Sequence, residues 1–325
     1  MIKTELISSM EKIEELSSEW RELYDISSTA TPFQGLFWVV PWWKNFGKSE
    51  LIIAAIREDE QLICIAPFFI YTANQKKRLC LIGSGISDYL DLLYIDICRQ
   101  KVSETVGSFL LSISDMWDEC YFQEVPVSSP LFHMSKYLLS CRVTIFKMSD
   151  CSYIDAAKVE NVRMVLPRNL RKNISRSLNV LKTSHSLSLE QSNSPETLIQ
   201  LHSKRWERKG LRGVLDEKII QKMHYDVLNS GYQNGEIAIY SLKADDHTIA
   251  CNYVLKKKKV AYFYLSGLDP LYSQYSPGTI AIYMTIEDLF TNGFCYFDFL
   301  RGNETYKSHW GVTFKQNSGI QINKK

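Results

Sequence analysis

The sequence predicts an α/β protein of two similar domains in tandem, each a mixed, twisted sheet flanked by helices. Three observations carry this. The order hairpin, strand, helix, strand runs twice along the chain, with little identity between the copies. A hairpin is antiparallel and a strand–helix–strand unit is parallel, so each half makes a mixed sheet. A chain of 325 residues also has room for two separate cores.

In the first half, "LIIAAIR", the acidic turn "EDEQ" and "LICIAPFFIY" form the hairpin. "RLCLIGSG" is the next strand, "SDYLDLLYI" follows it, and "VSETVGSFLLSISDMW" is the helix leading to "YFQEVPV". In the second half, "EIAIYSLK", the turn "ADDHT" and "IACNYVLK" form the hairpin. "KVAYFYLSG" is the strand, "PGTIAIYMTIEDLFTNG" the helix closed by Gly293, and "FCYFDFL" the last strand. This places the domains at 1–155 and 156–325.

The second domain opens with a helical insert. "PRNLRKNISRSLNVL" begins at Pro167, a residue suited to a first helical turn. Leu170, Ile174, Leu178 and Leu181 form its apolar stripe; Arg168, Lys172 and Arg176 lie opposite, with Arg171 at the margin. That basic face is either simply solvated or a docking strip for a phosphate-bearing substrate. "SPETLIQLHSKRWERKG" is a second helix, with Ser194 as N-cap, Pro195 as first residue and Gly210 as stop. It sets His202, Arg205 and Trp206 beside an apolar stripe. A packed Trp with a hydrogen-bonded His is the competing explanation.

Composition narrows the class. The 45% hydrophobic and 23% charged residues are ordinary for a globular protein, and a net charge of +2 favours neither nucleic acid nor a membrane surface globally. The 8 cysteines are scattered with no C-x-x-C pair, which reads as buried free thiols in a reducing compartment and no metal site. The N-terminal segment is too acidic for a signal peptide, and no run approaches the roughly 20 apolar residues of a membrane span. The expectation is a cytoplasmic protein without membrane insertion; its oligomeric state is open.

Chemistry-bearing residues concentrate at one edge of the second sheet. "KVAYFYLSG" and "FCYFDFL" should be parallel, so the loops leaving them, "LDPLYSQYSPGT" and "RGNETYKSHW", emerge on the same side, where open α/β sheets bind ligands. The first loop opens a helix at Pro277 and Gly278. Amides near Gly278, Thr279 and Ile280 should face outward there and attract an anion. The second loop supplies Arg301, Glu304, Tyr306 and Lys307 just past Asp298.

"YFYLSGLDPLYSQYSPGT" followed by "FDFLRGNETYKSHWG" resembles the large bacterial family of GNAT-type acyltransferases of cellulose and exopolysaccharide biosynthesis. "LHSKRWERKG", "PRNLRKNISRSL", "TPFQGLFWVVPWWKNFG" and "SGISDYLDLL" are similar to that family too, so the resemblance spans nearly the whole chain. It implies two tandem GNAT folds, similar in layout to the Fem-type aminoacyl transferases. It also implies an acetyl-CoA or other acyl-CoA donor and an amino or hydroxyl acceptor, a carbohydrate or a nucleotide- or lipid-linked sugar. Ser276, Gly278, Thr279 and Ile280 would form the pyrophosphate loop. The family's loop reads Q/R-x-x-G-x-G/A; here Gln274 stands one position further from Gly278, and Ile280 replaces the second glycine. The first domain carries no comparable loop and is expected to hold no cofactor.

Direct acyl transfer needs a positioned nucleophile, a base and donors for the oxyanion. Glu304 is the expected base, half-buried by the nearby Tyr and Trp, with Asp298 second; Tyr306 would protonate the leaving thiolate. Arg301 and Lys307 would hold phosphate or carboxylate groups. His202, Arg205 and Trp206 would reach the acceptor, with Arg168, Lys172 and Arg176 behind them. Asp88 and Asp91 either bind sugar hydroxyls or hold a turn. Trp42 and Trp43 are expected in the core. Two other readings stay open: a Fem-like aminoacyl-tRNA-dependent transferase, in which the Arg168–Arg176 strip would contact RNA, and a non-catalytic module binding a polysaccharide or a partner.

Overall fold

The computed structural model describes residues 1–325. They divide into two compact units: Met1–Ser149 with Gln316–Lys325, and Asp150–Lys315. The expected boundary at 155/156 does not foresee this return of the C-terminus. "FCYFDFL" is followed by one more strand, and a strand's destination is not written in its own residues.

In the first unit the strands are β1 (Ile2–Ile7), β2 (Leu51–Glu58), β3 (Gln61–Ala73), β4 (Lys76–Leu81), β5 (Leu93–Tyr94), β6 (Glu119–Pro126) and β7 (Cys141–Asp155), whose residues from Asp150 on lie in the second unit. The helices are α1 (Met10–Glu15), α2 (Ser17–Ile26), α3 (Leu36–Phe46) and α4 (Arg99–Ser112). β2 and β3 are the expected hairpin, turned at Asp59 in the left-handed region (φ 53). β3 pairs β4 antiparallel, and β4 meets β6 in parallel across the α4 crossover. Residues 317–323 of the C-terminal strand close the other side of β6. Trp42 and Trp43 are buried on α3 against Phe69, as expected.

In the second unit the order is α5 (Arg168–Ser184), β8 (Leu187–Ser192), α6 (Glu196–Glu207), α7 (Lys218–Gly231), β9 (Ile237–Ala244), β10 (His247–Lys257) and β11 (Val260–Leu268). Then come α8 (Pro277–Thr291), β12 (Tyr296–Arg301), α9 (Thr305–Ser308) and β13 (Thr313–Lys324), whose residues from Gln316 on lie in the first unit. β8, β9, β10 and β11 run antiparallel in that order, and β12 joins β11 in parallel. The duplicated pattern holds at residue level: Cys-Tyr-Phe stands at the start of both crossover strands, at 120–122 and 295–297. Each also carries a non-glycine residue at positive φ further on, Glu124 (φ 50) and Leu300 (φ 59).

Helices cover both faces of this sheet. Asn252 on β10 donates to Thr285 of α8 (2.9 Å), placing α8 on one face. The neighbouring pair Cys251–Gly267 must face the other way. There α6 sits so close that a Cβ on Gly267 would lie 2.6 Å from the backbone nitrogen of His202. α5 buries Leu170, Ile174 and Leu181, as its apolar stripe predicts. The helix ends differ by one position from expectation: Pro167 and Pro195 cap α5 and α6 rather than opening them.

Candidate functional site

The expected site edge is a wedge between two parallel strands. β11 and β12 pair only at Val260–Tyr296, Ala261–Phe297 and Tyr262–Asp298. Beyond that, β11 continues to Leu268 along β10, while β12 continues along β7. Bulges drive the two apart. The β10–β11 register slips at Tyr253/Val254, and the β12–β7 register slips between Asp298 and Arg301, where Leu300 turns left-handed. From Phe263 to Leu268 one edge of β11 therefore has no strand partner, and such an edge can pair with an extended ligand.

At the end of that edge the chain turns into α8. Asp269 anchors the turn: Oδ1 accepts from Leu271 N–H (3.0 Å), and Oδ2 from Lys204 Nζ (3.2 Å), with His247 Nε2 also at 3.2 Å. Burial pushes this carboxyl up, but those hydrogen bonds outweigh it and hold the pKa below the usual value. Ser276 then turns left-handed (φ 54) to let Pro277 start α8. The amides of Thr279 and Ile280 are both spent on Ser276 O (3.0 and 3.2 Å), and Pro277 has none. Gly278 N–H alone stays open at the mouth. Gly278 stands 3.3 Å, measured from where a Cβ would be, from Leu268 at the end of β11. Ser276 is exposed and Thr279 half-buried, but Ile280 is in the core.

In β12 and the loop "RGNETYKSHW" after it, the candidate residues divide into two groups. Asp298 is buried, with Oδ1 accepting from Leu300 N–H (2.7 Å) and Oδ2 from Lys315 Nζ (2.7 Å). It shapes the bulge. Lys307 is also buried, and its ammonium is held by Arg301 O (2.7 Å) and Glu304 (2.9 Å). Its charge is used inside the loop. Glu304 itself caps α9 with a side chain 55% exposed, not half-buried by Tyr and Trp as the sequence suggested, because Trp310 turns inward onto Phe299. Tyr306 packs its ring on Phe299 (6.3 Å between centroids), and nothing in the chain hydrogen-bonds its phenol. Burial raises the Tyr306 pKa, the Glu304 carboxylate adds to this, and Arg205 opposes it. Glu304 and Arg205 thus both lie within electrostatic reach of that phenol.

Arg205 comes from α6 and donates to Ser266 Oγ (3.0 Å), on β11 beyond the last pair with β12. No carboxylate of the chain pairs with this half-buried guanidinium. Its helix neighbours are packing residues. Trp206 Nε1–H donates to His202 Nε2 (3.0 Å), which places the imidazole hydrogen on Nδ1. That nitrogen is buried without a partner, against Gly213. Burial, then Arg205, lower the His202 pKa to about 4, so the ring is neutral and offers a substrate no lone pair.

The remaining expected residues stand apart from the wedge. Arg168, Lys172 and Arg176 are exposed on α5 and bond to none of its residues. In the first unit Asp88 is buried, its carbonyl accepting from Asn317 Nδ2 (2.8 Å). Asp91 is buried too, accepting from Ser129 Oγ (2.5 Å) and Leu92 N–H. Sequence reasoning missed Ser266, Gly267 and Asp269, although a serine, a glycine and an aspartate within four residues of a strand's end are a legible signal of a crowded, hydrogen-bonded turn.

Residues 168–308 match the family model of an acetyltransferase (GNAT) domain. The match lies wholly within the second unit. The solved structure of FemX is 9% identical over 98% of this chain and 96% of that one, with a TM-score of 0.73. The C-terminal domain of a putative lysylphosphatidylglycerol synthetase from Agrobacterium fabrum is 11% identical over 95% and 91% (TM-score 0.59). A tandem GNAT protein from the clavulanic acid biosynthesis pathway is 9% identical over 99% and 98% (TM-score 0.52). No curated protein matches the sequence. The family-model match begins at α5 and ends with α9, so it brackets the wedge, the α8 mouth and Tyr306. No group of side chains in the chain is arranged to hold a metal ion, and no helix is long and apolar enough to cross a membrane.

Proposed function

We propose that the second unit transfers an acyl group from acyl-CoA, most simply acetyl-CoA, to an amine or hydroxyl of a carbohydrate or amino-sugar intermediate of surface polysaccharide synthesis. Transfer is direct, in a ternary complex. The observation that carries this is the open edge of β11, with the unpartnered Tyr306 phenol and the Arg205 guanidinium, which no carboxylate pairs, at one side and the α8 mouth at its end. The chain fits such a donor. Ser276, Gly278 and Thr279 would hold its phosphates, fewer amides than a glycine-rich loop would give, and the β11 edge its extended arm. When bound, the donor supplies an activated thioester carbonyl.

The chain's own residues supply the rest. As the acceptor's nitrogen or oxygen bonds to the carbonyl carbon, its proton passes to the Glu304 carboxylate, which is exposed and therefore reachable. Arg205 faces the negative charge that develops on the carbonyl oxygen or on an anionic substituent of the acceptor. When the carbon–sulfur bond breaks, the thiolate takes the Tyr306 proton, and burial keeps that proton in place until then. A thermal-shift screen with acetyl-CoA, longer acyl-CoAs and free CoA tests the donor, since a ligand stabilises the fold it binds. Silence from every CoA species defeats the proposal.

The FemX likeness over nearly the full chain supports a second reading, with an aminoacyl-tRNA as donor. It predicts stabilisation by aminoacyl-tRNA and none by CoA species.

A further inference from the structure

From Asn161 to Leu189 the chain contains no Asp or Glu, yet it contains Arg163, Arg168, Arg171, Lys172, Arg176 and Lys182. Arg163 is used internally, on Tyr283 (3.2 Å) and Ser175 (3.0 Å). The others make no ion pair. Arg168, Lys172 and Arg176 recur every fourth residue along the outer face of α5, a line of about 12 Å at helical rise. Like charges four residues apart on a helix repel, and acids at helical spacing would soften that repulsion. Here none does.

Large apolar side chains flank the row. Val180, the next residue on the same line, is 48% exposed. Met164, just before the helix, is 66% exposed. Gly311 lies against Pro167 and the Val165 carbonyl at the start of α5, and Phe314, three residues further along, is 57% exposed. Cations alone would suit any polyanion. Exposed Met, Val and Phe beside them suit a layer whose anionic surface covers apolar interior. A nucleic acid would reward the cations and one aromatic ring but has no use for an exposed Met and Val.

We propose that the outer face of α5 docks on an anionic lipid bilayer. The row reads the headgroup charge, and Met164, Val180 and Phe314 enter the shallow interfacial layer. The contact is peripheral and reversible. A basic residue near an anionic membrane surface gains about fivefold in partitioning, so the three together give roughly 100-fold.

Cosedimentation of the full chain with phosphatidylcholine vesicles, with and without one third phosphatidylglycerol, tests this. Binding should require phosphatidylglycerol and weaken at high salt. Replacing Arg168, Lys172 and Arg176 together by Gln should cost about 100-fold, with an unchanged melting temperature because all three are exposed. If the triple variant does not fold, the single variants should each cost about fivefold. Met164→Ser with Phe314→Ser should lower binding equally at low and high salt. Equal binding to both vesicles, or none to either, overturns the proposal. So does loss of affinity for a single-stranded RNA oligonucleotide in the triple variant while wild-type protein ignores the anionic vesicles; the row would then be a nucleic-acid contact.

Discussion

Replacing Tyr306 by Phe separates chemistry from packing unusually cleanly. The ring rests on Phe299 and no group of the chain hydrogen-bonds the phenol, so the variant keeps every contact except those of one oxygen. Stability should therefore stay within about 0.5 kcal/mol of the parent. Loss of a general acid should lower kcat by about 10²–10⁴, which is about 3–5 kcal/mol of transition-state stabilisation. The assay is release of free thiol from acetyl-CoA under saturating acceptor. A second measurement identifies the role. An aryl thioester leaves as a far weaker base than an alkyl thiolate, so it needs no proton, and Tyr306→Phe should regain most of its rate with such a donor. KM for the donor should change little, because the phenol acts after binding. A variant within twofold of the parent on acetyl-CoA refutes the acid role. So does a variant equally slow on both donors, which would make the phenol a positioning group.

Three further outcomes follow from the same geometry. Glu304→Gln should lower kcat by about 10² or more; a lowered Tm with full specific activity would show instead that Glu304 serves only as the counter-ion of buried Lys307. Gly267→Ala sets a Cβ 2.6–2.8 Å from the α6 backbone, so it should cost about 1–3 kcal/mol and reduce activity by shifting Arg205, as read by melting and kinetics together. Burial, then Arg205, lower His202 to about 4, and burial, then the charge of His202, lower His224 to about 3, against about 6.5 in the unfolded chain. The unfolded state then binds more protons, so each contributes stability above pH 6.5 that is lost as pH falls toward those values, at about 1.4 kcal/mol per pH unit. Acid titration of Tm should show that loss, and His224→Phe should flatten it; an unchanged slope contradicts the burial argument.

Much of this was legible in the residues because each half is locally consistent. Hairpins announced themselves through alternating runs around acidic turns, and α5 through a stripe at helical spacing. The resemblance to GNAT acyltransferases sat in two long contiguous motifs, and the family-model match covers most of both. Three kinds of information were not local. β13 reads as an ordinary polar tail until its pairing with β6 is seen. Lys307 and Asp298 look like free charges, but a buried ammonium or carboxylate needs partners, and theirs come from Arg301 O and from Lys315, at distances sequence does not encode. His202 looks catalytic beside Arg205, yet a donor four residues on, Trp206, takes its only acceptor nitrogen.

The two units use the same bulge to opposite ends. In the first, β4 and β6 also pair for just two residues, Arg78–Glu119 and Leu79–Cys120, before Glu124 turns left-handed and they part. The gap is then closed by the chain itself. Leu90 N–H donates to Glu124 O (3.0 Å), Asn317 Nδ2 to Asp88 O (2.8 Å) and Gln34 Nε2 to Tyr89 O (2.9 Å). Segment 82–92 takes the place an extended ligand would need, and its Asp88 and Asp91 are committed to holding it there. In the second unit the segment after β11 is gathered away instead by Asp269, tied to Lys204 and His247, and leaves the edge of β11 open. Which way one loop is tied thus decides whether the gap beside the bulge is filled or open, and under the proposed function an Asp269→Ala variant should lose donor binding before it loses the fold.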